Sequence, residues 1–126
     1  MQEKGLDELS RAVAAFAEAR DWGQFHSPKN LAMALIVECA ELVEHFQWVS
    51  EQASYRFAGK KAKKAEIESE LADILIYLIR ISQALQVDLV HAGFRKLAVN
   101  RKRYPVRLAR GNAKKYSEHR KRKVGR

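Results

Sequence analysis

The sequence contains two prolines, six glycines and one cysteine in 126 residues. Because proline and glycine interrupt regular structure, so few of them favour long helices, and no segment alternates apolar and polar residues as strands do. The single cysteine, Cys39, excludes an internal disulfide and is typical of a reducing compartment. No apolar run approaches the length of a membrane span, and the first ten residues lack a signal-peptide core. These absences predict an all-α, cytoplasmic protein that binds no membrane.

Charge is distributed unevenly along the chain. Residues 95–126 contain 14 Lys and Arg against one acid, Glu118, whereas residues 1–94 have a net charge of −4. Basic surfaces attract the phosphate groups of nucleotides and of nucleic acids alike. We therefore expect one all-α domain over residues 1–110 and a basic, disordered tail over residues 111–126. For that tail, non-specific nucleic-acid binding is the alternative to a solvated segment without a partner.

Apolar periodicity predicts four helices. Their predicted ranges are 3–20, 28–49, 65–85 and 89–103. Ser27 and Pro28 are typical of an N-cap and a first helical position, Asp88 of a second N-cap, and Pro105 of a helix end. Residues 50–64, which contain a lysine-rich run, are predicted to form a polar, solvated connection. Four helices in so short a chain predict a four-helix bundle, and the apolar content of 47% in a small subunit predicts oligomerisation.

Four acidic residues occupy informative positions on the second and third predicted helices. Each helix carries two of them three residues apart, and residues at that spacing share a helix face. The four are Glu38, Glu41, Glu70 and Asp73. The third helix also has a strong apolar stripe at steps of three and four, formed by Ile67, Leu71, Ile74, Leu78, Ile81 and Leu85.

The acidic pairs indicate a divalent cation site. Glu38 falls inside the apolar stripe of its helix, and an ionised carboxylate among apolar side chains is costly unless a cation compensates it. Oxygen ligands without a histidine or thiolate at ligand spacing favour Mg²⁺, with Mn²⁺ as a substitute. Pairs of this kind are also common on solvated helix faces, where Lys and Arg neutralise them. Spacing alone leaves both interpretations open.

A di-iron helical bundle is a weaker interpretation of the same residues. Such bundles carry a Glu-x-x-His repeat. The residues three positions after Glu41 and Glu70 are Glu44 and Asp73, so the repeat is missing. His45 follows Glu41 by four positions and has no counterpart on the third helix. The sequence therefore disfavours a di-iron centre.

Longer motifs around these residues resemble one known family. The segments are RDWGQFHSPKNL (20–31), ECAEL (38–42), FQW (46–48), ELADILIYL (70–78) and NRKRYP (100–105). Together they resemble the dCTP pyrophosphatase branch of the all-α MazG-like nucleoside triphosphate pyrophosphohydrolases. The likeness covers about residues 20–116, and the RDW-x-QFH-x-P and FQW elements are its most specific parts.

The resemblance implies a fold, an activity and a set of site residues. It implies a four-helix subunit of a homotetramer, with active sites near the subunit interfaces, that hydrolyses dCTP or modified dCTP to the monophosphate and pyrophosphate. Other dNTPs are alternative substrates. The implied Mg²⁺ ligands are Glu38, Glu41, Glu70 and Asp73. The implied base and nucleoside contacts are Trp22, Trp48, His26 and Tyr77. The expected triphosphate contacts are Lys96, Asn100, Arg103 and Tyr104.

One position departs from the pattern of the branch. Val13 stands where animal members carry a histidine on the first helix. The change removes a polar group near the base, so cytosine selectivity is implied less strongly than hydrolysis.

The chemistry of the residues agrees with the implied activity. A triphosphate carries up to four negative charges, and its hydrolysis needs that charge neutralised and a water positioned for attack. A cation held by carboxylates meets both needs, although spacing does not separate a ligand from a general base. Two alternatives remain: a nucleic-acid-binding helical module that uses the basic C-terminal region, and an oligomer that binds nucleotides without turnover.

Overall fold

The computed structural model describes residues 5–114, which contain six α-helices, two short 3-10 helices and no strand. The all-α prediction is therefore confirmed. The helices are α1 (Leu6–Ala19), α2 (Pro28–Glu44), α3 (Glu51–Tyr55), α4 (Lys61–Leu85), α5 (Leu89–Arg103) and α6 (Val106–Ala109), with 3-10 turns at Trp22–Gln24 and Arg56–Gly59. No single helix in this part of the chain is long and apolar enough to cross a membrane.

The chain divides into two compact units, Met1–Val87 and Asp88–Arg126. The first contains α1 to α4, and the second contains α5 and α6. The predicted domain boundary between residues 110 and 111 stays a prediction. Residues 115–126 of the predicted basic tail lie outside the described part of the chain.

Short polar side chains cap three of the helices, α2, α3 and α5. The hydroxyl of Ser27 accepts from the backbone N–H of Asn30 at 3.1 Å at the start of α2. The carboxylate of Asp88 accepts from the backbone N–H of His91 at 3.0 Å at the start of α5. Such caps satisfy backbone donors that have no partner within the helix. Both predicted caps are present, and α5 has its predicted bounds.

The predicted connection over residues 50–64 is mostly exposed, as expected, but it is not a loop, because most of it is helical. It contains α3, the second 3-10 turn and the first turn of α4. The ring of Phe57 packs 5.5 Å from that of Phe46. The ammonium groups of Lys60 and Lys63 lie 5.8 and 5.5 Å from the Phe57 ring. Attraction between these cations and the ring helps to order a lysine-rich run, which composition alone predicts to be a solvated connection.

The helix packing that positions the site involves α2, α4 and α1. α2 packs along α4, and α1 packs against the same helix. The most buried side chains are Leu31 on α2 and Ile79 on α4, each 1% exposed. Val13, Ala17 and Ser82 are also buried. This small core brings the inward faces of α2 and α4 into contact.

The apolar stripe predicted on the third helix is divided between two faces of α4. Its isoleucines, Ile67, Ile74 and Ile81, are half-buried. Its leucines, which also recur every seven residues, are 39–55% exposed: Leu71, Leu78 and Leu85. α2 likewise leaves large apolar side chains exposed, namely Met33, Ile36, Val37 and Val43. Each of the two central helices therefore has one apolar face packed within the subunit and another that is uncovered.

Candidate active site

Three of the four predicted metal ligands converge between α2 and α4. One carboxylate oxygen from each of Glu38, Glu41 and Glu70 lies within 4.8 Å of the other two. Glu38 and Glu41 come from one face of α2 and Glu70 from the facing side of α4, so the packing of these helices assembles the cluster. Asp73 does not belong to the trio, but its charge acts on both Glu38 and Glu70. We call these four side chains the acidic cluster.

The acidic cluster is electrostatically unsatisfied. The Oε2 atoms of Glu38 and Glu70 are buried and have no hydrogen-bond partner among residues 5–114. Burial raises the pKa of Glu38 to about 7, and the neighbouring Glu41, Asp73 and Glu70 carboxylates add to the rise. Burial also raises the pKa of Glu70, with Glu41 adding to the effect. Buried carboxylate oxygens without a partner, within a group of three converging carboxylates, fit a divalent cation with a preference for oxygen ligands.

A histidine and a lysine flank the acidic cluster on one side. Nε2 of His45 lies 3.8 Å from Oε1 of Glu70, and Nδ1 of His45 lies 3.8 Å from Oε2 of Glu66. The ammonium group of Lys63 lies 2.9 Å from the same Nδ1. The sequence pattern indicated His45 only as a residue of a di-iron site, which it disfavoured, and predicted no role for Lys63. Their contact joins the end of α2 to the first turn of α4, which helical periodicity does not reveal.

Hydrogen bonds shape the RDWGQFH loop before α2. Asp21 has φ 52°, in the left-handed region, and the side-chain amide of Gln24 donates to its backbone oxygen and its carboxylate, both at 3.1 Å. The side-chain amide of Asn30 donates to the backbone oxygen of Phe25 at 3.0 Å. Aspartate tolerates the left-handed region better than most residues. Much of the motif therefore serves to fix the loop.

The loop places two predicted base contacts together. The rings of Trp22 and His26 lie 5.9 Å apart, edge to face, and Trp22 lies 5.5 Å from Phe16 of α1. The guanidinium group of Arg20 stacks on the Phe16 ring, 3.7 Å from its centroid. Trp22 is 40% exposed, so the aromatic group is open to solvent. Burial lowers the pKa of His26, and the Arg80 guanidinium lowers it further.

The remaining predicted contacts of the first unit are placed separately. Trp48 lies in a turn after α2 and is 89% exposed, and no ring contact joins it to Trp22 within residues 5–114. Tyr77 is half-buried on α4, one turn after Asp73. Val13, the position at which the sequence departs from the histidine of animal members of the branch, is buried on α1.

The predicted triphosphate contacts belong to the second unit. They are Lys96 and Asn100 on α5, Arg103 at its end and Tyr104 at its C-cap. Lys96 and Arg95 line an open depression of about 440 Å³. The backbone N–H of Tyr104 donates to the backbone oxygen of Asn100 at 2.8 Å, which fixes the end of the helix.

Comparisons with known proteins identify the family. A model of the MazG-like family matches residues 33–118. dCTP pyrophosphatase 1 of Rattus norvegicus is 44% identical over 116 residues, covering 92% of this chain and 68% of the relative. The Homo sapiens protein of the same name is 41% identical with the same coverage. A crystal structure of a pyrophosphatase from Archaeoglobus fulgidus matches with a TM-score of 0.73 and 34% identity, covering 83% of this chain and 96% of that one. The chain therefore belongs to the MazG-like family, as its resemblance to dCTP pyrophosphatases predicted.

Proposed function

We propose that this protein hydrolyses dCTP, or a modified dCTP, to the monophosphate and pyrophosphate with Mg²⁺ as its cofactor and Mn²⁺ as a substitute. Other dNTPs are alternative substrates. The observation that carries the proposal is the convergence of Glu38, Glu41 and Glu70 with two buried oxygens that have no partner in the described part of the chain. The enzyme class, a nucleoside triphosphate pyrophosphohydrolase, follows from the family and from pyrophosphatases at 34–44% identity.

The acidic cluster would hold the cation. When bound, the cation supplies neutralisation of the triphosphate charge and lowers the pKa of a water molecule. The trio of Glu38, Glu41 and Glu70 offers the converging oxygens, and Asp73 stands beside them. A carboxylate of the cluster that is not engaged as a ligand can orient the attacking water and accept its proton. Cleavage of the α–β phosphoanhydride bond then releases pyrophosphate.

The aromatic residues of the first unit and the residues of α5 and its C-cap supply the other contacts in this proposal. Trp22 and Trp48 stack on the base, and His26 and Tyr77 line the nucleoside pocket. Stacking on an aromatic face contributes roughly 1–3 kcal/mol per base. The triphosphate contacts are Lys96, Asn100, Arg103 and Tyr104, on the second unit.

A homotetramer with active sites near its interfaces is part of the proposal. The uncovered apolar faces of α2 and α4 support it, because large contiguous apolar surfaces on helices are typical of protein–protein contacts. In such an assembly each subunit is a four-helix bundle, and a nucleotide site near an interface takes contacts from more than one subunit.

Product analysis tests the reaction directly. With Mg²⁺ and dCTP, we expect dCMP and pyrophosphate in equal amounts, separated by anion-exchange chromatography and confirmed by ³¹P NMR. A panel of ribonucleotides, deoxynucleotides and 5-substituted dCTP measures base and sugar preference under the same conditions. Stepwise release of orthophosphate, with dCDP as the first product, would show that the proposed reaction is wrong.

Trp48→Ala tests base stacking by the most exposed aromatic side chain. We expect KM for dCTP to rise on the order of tenfold with kcat within about twofold, because loss of stacking weakens binding in the ground state and the transition state alike. Steady-state kinetics measure the effect. Tyr55→Ala is the matched control, since Tyr55 is 83% exposed on the neighbouring α3. Equal KM values for the two variants would remove Trp48 from the base site.

A further inference from the structure

A chain of side-chain hydrogen bonds connects α4 to α1 and to the RDWGQFH loop. The side-chain amide of Gln83 donates to the backbone oxygen of Ser10 at 2.8 Å and to its hydroxyl at 3.0 Å. Nη1 of Arg80 donates to Oε1 of Gln83 at 2.8 Å. Nε of Arg80 donates to Nδ1 of His26 at 3.1 Å. All four contacts are partly buried, and they tie together residues up to 73 positions apart.

The direction of these bonds fixes the state of the His26 ring. A guanidinium group has only donors, so Nδ1 of His26 must present its lone pair to Arg80. The ring proton of the neutral imidazole then resides on Nε2, on the side of the ring away from Arg80. Protonation of Nδ1 would replace the bond with a contact between two positive groups. Burial and the Arg80 charge lower the pKa of His26, in agreement with a neutral ring.

Gln83 in turn fixes Arg80. Its amide oxygen accepts from Arg80 while its amide nitrogen donates to Ser10, so both ends of the amide are engaged. A guanidinium held at two nitrogens keeps a planar, defined orientation, which a lysine ammonium does not reproduce. The orientation of Arg80 is therefore determined by α1 and α4 before any ligand binds.

We propose that Arg80 is a positioning residue that holds His26 as a neutral donor through Nε2–H, beside Trp22, facing an acceptor atom of the nucleobase. The acceptor would be a ring nitrogen or a carbonyl oxygen of a pyrimidine. This inference rests on the proposed function, because it places the base next to Trp22 and His26. A site built around a donor discriminates against a ligand that presents another donor at the same point, since a donor that the bound base removes from water is then left unpaired.

Arg80→Met tests the proposal, with Arg80→Lys as a second variant and Arg11→Met as the control on an exposed arginine of α1. Long-range ¹H–¹⁵N spectra of the full chain report the histidine tautomers, and His26→Asn assigns the signal among the four histidines. Calorimetry measures the Kd of dCMP without turnover.

We expect the wild-type ring to be protonated at Nε2 alone. Arg80→Met should populate both tautomers and raise the Kd of dCMP about tenfold. For Arg80→Lys, the tautomer populations and the Kd of dCMP should lie between those of the wild type and Arg80→Met. Arg11→Met should match the wild type in both measurements.

Several outcomes would overturn the proposal. The first is a wild-type His26 ring protonated at Nδ1. The second is an unchanged tautomer in Arg80→Met, and the third is a changed tautomer in that variant with an unchanged Kd for dCMP. Failure of the proposed function is distinguishable. If the wild type binds dCMP but releases no pyrophosphate from any triphosphate, only the proposed reaction is wrong, whereas a wild type that does not bind dCMP overturns the role of Arg80.

Discussion

Glu41→Gln should lower kcat/KM for dCTP by at least about a thousandfold, about 4 kcal/mol of transition-state stabilisation, while the helical fold persists. One oxygen of Glu41 lies within 4.8 Å of oxygens from both Glu38 and Glu70, and its charge acts on both of them. The substitution replaces a negatively charged carboxylate with a neutral amide, whose NH₂ group is a donor that a cation repels. The substitution therefore removes one of the three converging carboxylates while leaving the volume of the side chain almost unchanged.

Steady-state kinetics measure the loss, circular dichroism checks the fold, and electron paramagnetic resonance of Mn²⁺ measures cation binding independently of turnover. The matched control is Glu44→Gln, because Glu44 is exposed and lies one turn further along the same helix. We expect Glu44→Gln to retain wild-type kinetics. Wild-type activity in Glu41→Gln would remove the acidic cluster from the mechanism.

Asp73→Asn distinguishes the trio from the fourth carboxylate. Turnover should also be abolished in this variant, since Asp73 acts electrostatically on Glu38 and Glu70. Mn²⁺ should still bind more tightly to Asp73→Asn than to Glu41→Gln, because Asp73 lies outside the group of three converging oxygens. Equal loss of Mn²⁺ binding in the two variants would contradict this division of roles.

The parts of the site that could be predicted from the sequence are those set by local geometry. The pairing of Glu38 with Glu41 follows from helix periodicity, which holds wherever the helix packs. Their meeting with Glu70 required one further step, the packing of two amphipathic helices along their inward faces. Trp22 and His26 lie four residues apart in one loop, so their proximity could also be predicted from the sequence.

The parts that could not be predicted depend on contacts between distant segments. Arg80 and His26 are 54 positions apart, and nothing in the spacing of either residue indicates the partner. The same holds for Lys63 and His45, which meet only because the lysine-rich run begins a helix. The uncovered leucines of α4 present another limit. A stripe at steps of three and four predicts an apolar face, but not whether the same chain covers all of it.

The cation-free protein should become less stable as pH rises, and a divalent cation should reverse the effect. Burial raises the pKa of Glu38 in the folded protein from 4.5 to about 7, and it also raises the pKa of Glu70. A carboxyl with a raised pKa in the folded state binds its proton more tightly there than in the unfolded chain. Its stabilising contribution is therefore complete below about pH 4.5 and is lost as pH rises through about 7.

Thermal unfolding with and without Mn²⁺, at one fixed protein concentration, measures both effects. In chelator, Tm should fall between about pH 5 and about pH 7.5 and then level off. At about pH 8, a cation at one hundred times its Kd should add about 2.7 kcal/mol, or roughly 10 °C for a chain of this size. At about pH 5 the gain should be smaller, because protons compete with the cation for the same oxygens.

Glu38→Gln separates this electrostatic cost from any general effect of pH. The neutral amide imitates the protonated acid, so in chelator at about pH 8 the variant should have a higher Tm than the wild type and a flatter pH profile. It should also gain less from Mn²⁺, because one of the three converging carboxylates is missing. Glu68→Gln, an exposed position on α4, should behave as the wild type in both respects. A variant more stable without its cation and less active with it would show that the orphaned carboxylates are retained for binding the cation rather than for folding. A wild-type Tm that does not fall with pH in chelator, or an equal Mn²⁺ gain in Glu38→Gln, would contradict that conclusion.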